Sequence, residues 1–125
     1  IGFTDLTTIT STQSVDARMF AYYTLALDSS LQSASGQYTI VVDAVDAGDS
    51  FNAYFYSADL SLCDFAGTTY QCTSVSQCTI NYPTCEGTGD FYLVIESLED
   101  DSMDYDVTYG NEPAFNALDL PALNQ

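Results

Sequence analysis

"DFYLVIES", residues 90–97, alternates side chains to two faces, with Phe91, Leu93 and Ile95 pointing one way and Tyr92, Val94 and Glu96 the other. A period of two in a run this rich in aromatic and β-branched residues reads as a strand packed on a core. The pattern recurs outward from it. "MFAYYTLAL" (19–27), "QYTIVVDAV" (37–45), "FNAYFYSA" (51–58), "TYQCT" (69–73), "CTINY" (78–82) and "DYDVTYG" (104–110) have the same character. Between them lie "DSSLQSASG", "DAGDS", "DFAGT", "PTCEGTG" and "LEDDSM", whose Gly, Pro, Asp and Ser reverse the chain without strain. No stretch carries a helical period and no internal repeat is present. Short strands and turns at this spacing predict an all-β fold, an antiparallel β-sandwich with jelly-roll-like topology.

The composition narrows the function. Eighteen acidic residues face a single cation, Arg18, for a formal net charge of -17. Without a basic footprint to release counterions, nucleic acid and anionic membrane surfaces are poor partners. No run approaches the roughly 18 apolar residues of a membrane span, so membrane insertion is not expected. Lacking histidine and lysine, the chain cannot build a Ser-His pair, a Schiff base or a P-loop. Catalysis would fall to carboxylates, tyrosines or a bound metal, and the expectation is a protein that is not an enzyme. At 46% hydrophobic residues the chain has ample material for one folded core. It begins at Ile1, which reads as a processed mature chain or a fragment.

All four cysteines lie between residues 63 and 85, at Cys63, Cys72, Cys78 and Cys85. Zinc knuckles place two cysteines two to four residues apart, and no such pair exists here. An even count in an acidic, strand-rich chain predicts two disulfides and an oxidising, extracellular setting. "YQCT" and "CTIN" flank a short loop, so a hairpin would bring Cys72 against Cys78 and leave Cys63 for Cys85. The other arrangement weighed is 63–72 with 78–85.

Three further groups are candidates for binding or modification. Asp43, Asp46 and Asp49 could wrap a turn around calcium, which takes six to eight oxygen ligands. The plain alternative is a solvated acidic turn. A second acidic run holds Glu99, Asp100, Asp101 and Asp104, and no other cofactor is implied. Tyr54, Tyr56 and Tyr92 could share an exposed face for a ligand such as a glycan, although alternating aromatics more often pack a core. Asn52, Asn81, Asn111, Asn116 and Asn124 all fail the N-glycosylation rule, so any glycan would sit on hydroxyls. Thr7, Thr8, Thr10 and Thr12 are the densest such group.

The run from about Phe20 to Gly110 resembles the bacterial pre-peptidase C-terminal domain. "YYTLAL", "YTIVVDA", "DSFNAYFYSAD", "YQC" with "CTI", "GDFYLVIES" and "YDVTYG" appear in that family's order. The resemblance implies a small jelly-roll-like sandwich in an extracellular accessory role, with no chemistry of its own. It also matches Cys72 and Cys78 as the hairpin pair. This chain departs from the pattern in having extra extended segments at both ends, with no peptidase within these 125 residues.

The chain therefore divides into a Thr/Ser-rich extended segment (1–15), a sandwich (16–110) and an extended tail (111–125). Either end could form the outer strands of its own domain. Alternatively an end could complete the sheet of another copy, and the proline-free N-terminal segment suits the donor role. The resulting expectation is a subunit of an extracellular or cell-surface filament, assembling head-to-tail with copies of itself and carrying O-linked glycans. The alternative is a carbohydrate- or protein-binding accessory module of a larger secreted hydrolase.

Overall fold

The computed structural model describes residues 3–27, 37–58, 70–83 and 89–111 of the 125-residue chain. Among these residues nine strands form: β1 (Phe3–Asp5), β2 (Gln13–Val15), β3 (Phe20–Leu27), β4 (Gln37–Ala44), β5 (Phe51–Ser57), β6 (Tyr70–Val75), β7 (Gln77–Pro83), β8 (Gly89–Ser97) and β9 (Met103–Asn111). One 3-10 turn, Leu6–Thr8, follows β1. All seven runs anticipated from periodicity are strands. β1 and β2 are additional and come from the N-terminal segment.

The strands make two sheets, ordered β1-β3-β8-β5-β6 and β2-β9-β4-β7. From β3 onward the chain changes sheet at nearly every connection. The alternation reported in the sequence explains the core between the sheets. Tyr23, Leu25 and Leu27 on β3, Phe51 and Phe55 on β5, and Leu93 and Ile95 on β8 face Ile40, Val42, Met103 and Tyr105 from the other sheet, all buried. Burying each large apolar side chain stabilises by about 1.5–3 kcal/mol relative to exposure. One end of the core is aromatic. Phe55 and Phe91 stack at 5.0 Å, and Tyr82 meets Phe91 edge-on at 4.9 Å.

β8 lies at the centre of the larger sheet, paired along its length with β3 and β5. Its outer face is covered as well: Val94 is fully buried there beside Tyr54 and Tyr56. That is why "DFYLVIES" is apolar on both faces.

Two expectations change. The fold is not wholly antiparallel, because β1 runs parallel to β3, Phe3 opposite Tyr22. A parallel neighbour needs a crossover, and the excursion of the chain into the second sheet as β2 supplies it. Cys72 and Cys78 are bonded, with Cα atoms 5.9 Å apart, but not across a hairpin. β6 pairs outward with β5, and β7 pairs outward with β4. With only Ser76 between these strands, the disulfide ties the two sheets at a corner. A bulge at the β5–β6 pairing turns the chain there, with Ser74 at φ 54° and its amide donating to Asn52 Oδ1 at 2.8 Å. Cys63 and Cys85 lie outside the described residues, as do most of the tail (112–125).

Candidate functional site

The N-terminal segment closes the side of the sandwich opposite the disulfide. β1 adds to the edge of the larger sheet and β2 to the edge of the smaller, with Ser14 opposite Asp104. Between them Leu6 is fully buried and Ile9 nearly so, while Val15 is buried at the end of β2. Asp5 caps the 3-10 turn: Thr7 donates to its Oδ1 from both amide (3.0 Å) and hydroxyl (2.8 Å). Those two bonds hold the Asp5 carboxyl below its ordinary range. Thr8 donates to the Asp5 carbonyl at 2.7 Å, and Thr12 to Asp106 Oδ1 at 2.6 Å. Thr7, Thr8, Thr10 and Thr12 are all exposed, so each is open to modification, although three of the four hydroxyls already bond within the protein.

The segment joins β3 through one turn, in which the Met19 amide donates to the Asp16 carbonyl at 3.1 Å. Arg18 sits in that turn with φ 59°, the left-handed region that a side chain enters at some cost. Its guanidinium bonds Asp100 Oδ1 at 2.9 Å. The pair is exposed, and such bridges contribute little on their own.

The two acidic runs, separate in sequence, meet at one end of the sandwich. Ser50 donates to Glu99 Oε2 from its amide (2.7 Å) and hydroxyl (3.1 Å), the Leu98 amide bonds the Ser50 carbonyl, and the Val45 amide bonds the Asp104 carbonyl. Asp46 Oδ1 accepts from the Gly48 amide at 2.9 Å, folding the turn. Asp49 is raised above its ordinary carboxylate value, first by desolvation and then by Asp46, Glu99, Asp101 and Asp104. Asp43 is exposed at the end of β4. Among the described residues no three metal-ligating side chains converge on a common point. One oxygen of Asp46 and one of Glu99 accept from backbone and hydroxyl donors.

Tyr54, Tyr56 and Tyr92 do share one face, the outer surface of the larger sheet. Tyr54 and Tyr56 are buried there, so neither presents a ring to solvent. Tyr54 donates to Glu96 Oε1 at 3.4 Å, and Tyr92 meets Tyr56 edge-on at 5.5 Å. The open part of the face is formed by half-buried Tyr92 together with Phe3, Phe20 and Tyr22, three residues that the sequence does not single out. Phe3 stacks on Tyr92 at 5.1 Å and tilts against Tyr22 at 5.6 Å, and Phe20 stacks on Tyr22 at 6.1 Å. Phe3 joins this group only because β1 pairs with β3, a contact to which no local pattern points.

Three shallow grooves accompany these features. One, of 380 Å³, runs past Asp5, Thr24, Asp90 and Tyr92. A second, of 410 Å³, lies between Ile9–Thr12 and Asp106–Thr108. The third, of 470 Å³, opens where β1 and β2 diverge over the start of β3. Asp5 and Asp90 share the first groove, and Asp5, held below its ordinary range by Thr7, is not set up as a general acid there.

The arrangement of two sheets around β8 has a solved counterpart. The fold is shared with a pre-peptidase C-terminal domain. That domain, from the collagenase of Bacillus anthracis, superposes with a TM-score of 0.53 at 12% identity, over 86% of this chain and 90% of that one. A periplasmic inhibitor of g-type lysozyme from Aeromonas hydrophila is also similar, with a TM-score of 0.49 at 12% identity over 80% of this chain and 83% of the other. No protein-family model matches the sequence, and neither does any curated protein.

Proposed function

We propose that this chain is a non-enzymatic structural subunit of an extracellular or cell-surface filament, built head-to-tail by exchange of the N-terminal segment between copies. One observation carries the reading. Residues 3–15 supply an edge strand to each sheet and bury Leu6, Ile9 and Val15, yet they connect to the body through the single turn at Asp16–Met19. A segment that plugs a core through one hinge plugs the same hole in a neighbour equally well, because every contact is reproduced. The Cys72–Cys78 bond suits an oxidising compartment. A second bridge, Cys63–Cys85, jelly-roll-like topology and O-linked glycans on the exposed threonines belong to the same reading.

The test is a lock. Ser14 and Asp104 are exposed cross-strand partners on β2 and β9, so Ser14→Cys with Asp104→Cys, oxidised in dilute solution before any assembly, fastens the segment to its own body. The parent and each single variant form larger species at rising concentration in sedimentation velocity and filaments in micrographs. The oxidised double variant stays monomeric. Equal assembly by the locked protein overturns exchange.

A second reading, an accessory module that binds a carbohydrate or a protein, is favoured by the ring series Phe20, Tyr22, Phe3 and Tyr92 on the outer sheet face. Titration with neutral oligosaccharides, read by tyrosine fluorescence, checks it. Saturable quenching that Phe3→Ala and Tyr92→Ala abolish supports the module, and no quenching removes the carbohydrate form of it.

A further inference from the structure

We infer that Arg18 sets the balance between the closed chain and the exchanged assembly, because its backbone is strained only while the N-terminal segment lies on its own body. The inference rests on the proposal that copies exchange residues 3–15, and it places the control of that exchange in one residue.

Exchange reproduces every contact that residues 3–15 make, so a closed copy and an exchanged copy differ at the hinge alone. The hinge is short. Its body side is fixed at Met19, whose carbonyl accepts from the Ser97 amide at 3.0 Å just before β3 begins. Its segment side is fixed at Val15, buried at the end of β2. Between them Asp16, Ala17 and Arg18 reverse the chain, and the Met19 amide closes the turn on the Asp16 carbonyl at 3.1 Å.

The turn calls for a residue that the chain does not put there. Arg18 stands third in it at φ 59°, while Ala17 before it keeps a negative φ. That is the pattern of a type II turn, whose third residue is ordinarily Gly or Asn. In an arginine the same backbone brings Cβ too close to the following carbonyl oxygen. Ser74 is the other non-glycine residue of positive φ among the described residues, and its amide is held by Asn52 Oδ1. Arg18 is held by its guanidinium instead, at 3.2 and 2.9 Å from Asp100 Oδ1. Both side chains of that pair are largely in solvent, where an ion pair contributes little. The strain is therefore not offset by the side chain.

Opening the hinge releases it. A segment that reaches a neighbour draws residues 16–18 out into extended backbone, which arginine adopts freely. A short hinge strained in the closed form favours exchange. A left-handed residue that is not glycine costs enough to move such an equilibrium about tenfold.

The test is a series at position 18 in the full chain. Arg18→Gly and Arg18→Asn accept a left-handed backbone, and Arg18→Val resists it. All three remove the same charge, so comparison among them reads the backbone alone. Asp100→Asn removes the ion pair and leaves the turn. As dilute monomers, Arg18→Asn should melt above Arg18→Val. In sedimentation velocity across a concentration series, Arg18→Gly and Arg18→Asn should need about tenfold more protein than Arg18→Val to reach half assembly. Asp100→Asn should assemble like the parent. Gly, Asn and Val variants that assemble alike overturn the inference, and leave exchange to stand or fall by the Ser14/Asp104 lock. A shift with Asp100→Asn as large as that with Arg18→Gly assigns the control to the ion pair and overturns it too. A parent that stays monomeric at every concentration removes exchange and this inference together.

Discussion

The hydroxyls of Tyr23 and Tyr105 share a hydrogen bond between the two sheets, Tyr23 reaching from β3 and Tyr105 from β9. Tyr23 Oη also lies 3.4 Å from Gln13 Oε1 on β2, so the contact joins three strands, including one from the N-terminal segment. Burial pushes both phenols above their ordinary pKa. Replacing one partner leaves the other's hydroxyl short of a bond in a dry site, which costs about 1–3 kcal/mol. Tyr105→Phe should lower the urea midpoint accordingly, and Tyr23→Phe/Tyr105→Phe should cost less than the sum of the single changes.

The same burial sets the alkaline limit. Tyr38 is pushed up to about 12, chiefly by desolvation and then by Tyr109. A group whose folded pKa is raised contributes stability that is complete below its unfolded value and is lost as pH climbs through the folded one. Stability should therefore hold to about pH 10 and fall steeply above it, the window set by the ordinary tyrosine pKa. Spectrophotometric titration should show the buried phenols ionising together with loss of the near-ultraviolet dichroism. Gradual ionisation in a chain that stays folded would contradict this.

The acidic end predicts the opposite sense. Asp49 is raised by desolvation and by its neighbours, so its repulsion weighs on the fold at neutral pH and is relieved as pH falls. Asp49→Asn should raise the thermal midpoint at pH 7, and that gain should vanish once the parent carboxyl is protonated, below about pH 4. Raised salt should shrink the gain as well.

The corner disulfide closes a short loop, between residues 72 and 78. Chain-entropy reasoning assigns such a loop about 2 kcal/mol. Cys72→Ala/Cys78→Ala should lose that much in equilibrium unfolding while keeping the strand content seen by far-ultraviolet dichroism, because β6 and β7 each keep their own sheet partner.

Anchoring of the N-terminal segment divides unequally between two residues. Leu6 is fully buried and Phe3 is 40% exposed. Leu6→Ala should cost about 2–5 kcal/mol by leaving a cavity, and Phe3→Ala about 1 kcal/mol through lost ring contacts. Amide exchange in β2 should accelerate with Leu6→Ala far more than with Phe3→Ala.

Much of this molecule is legible in one dimension. Strand periodicity marks β3 to β9 because a half-buried strand must alternate, and that requirement is local. The sequence favours Cys72 with Cys78 through an expected hairpin and leaves a second arrangement open; the bond forms, but at a corner between the sheets instead. What each strand pairs with is not local. β6 and β7 read as a hairpin, yet with a bulge at Ser74 they pair with β5 and β4 in different sheets. The acidic runs around Asp46 and Glu99 are half the chain apart and become one repelling end only because β4, β5, β8 and β9 bring their loops together. Phe3 looks like a tail residue until β1 lies parallel to β3 and sets its ring on Tyr92. Alternation settles which side chains face inward. Hydrogen-bond partners far along the chain decide where those faces meet, and only the tertiary structure supplies them.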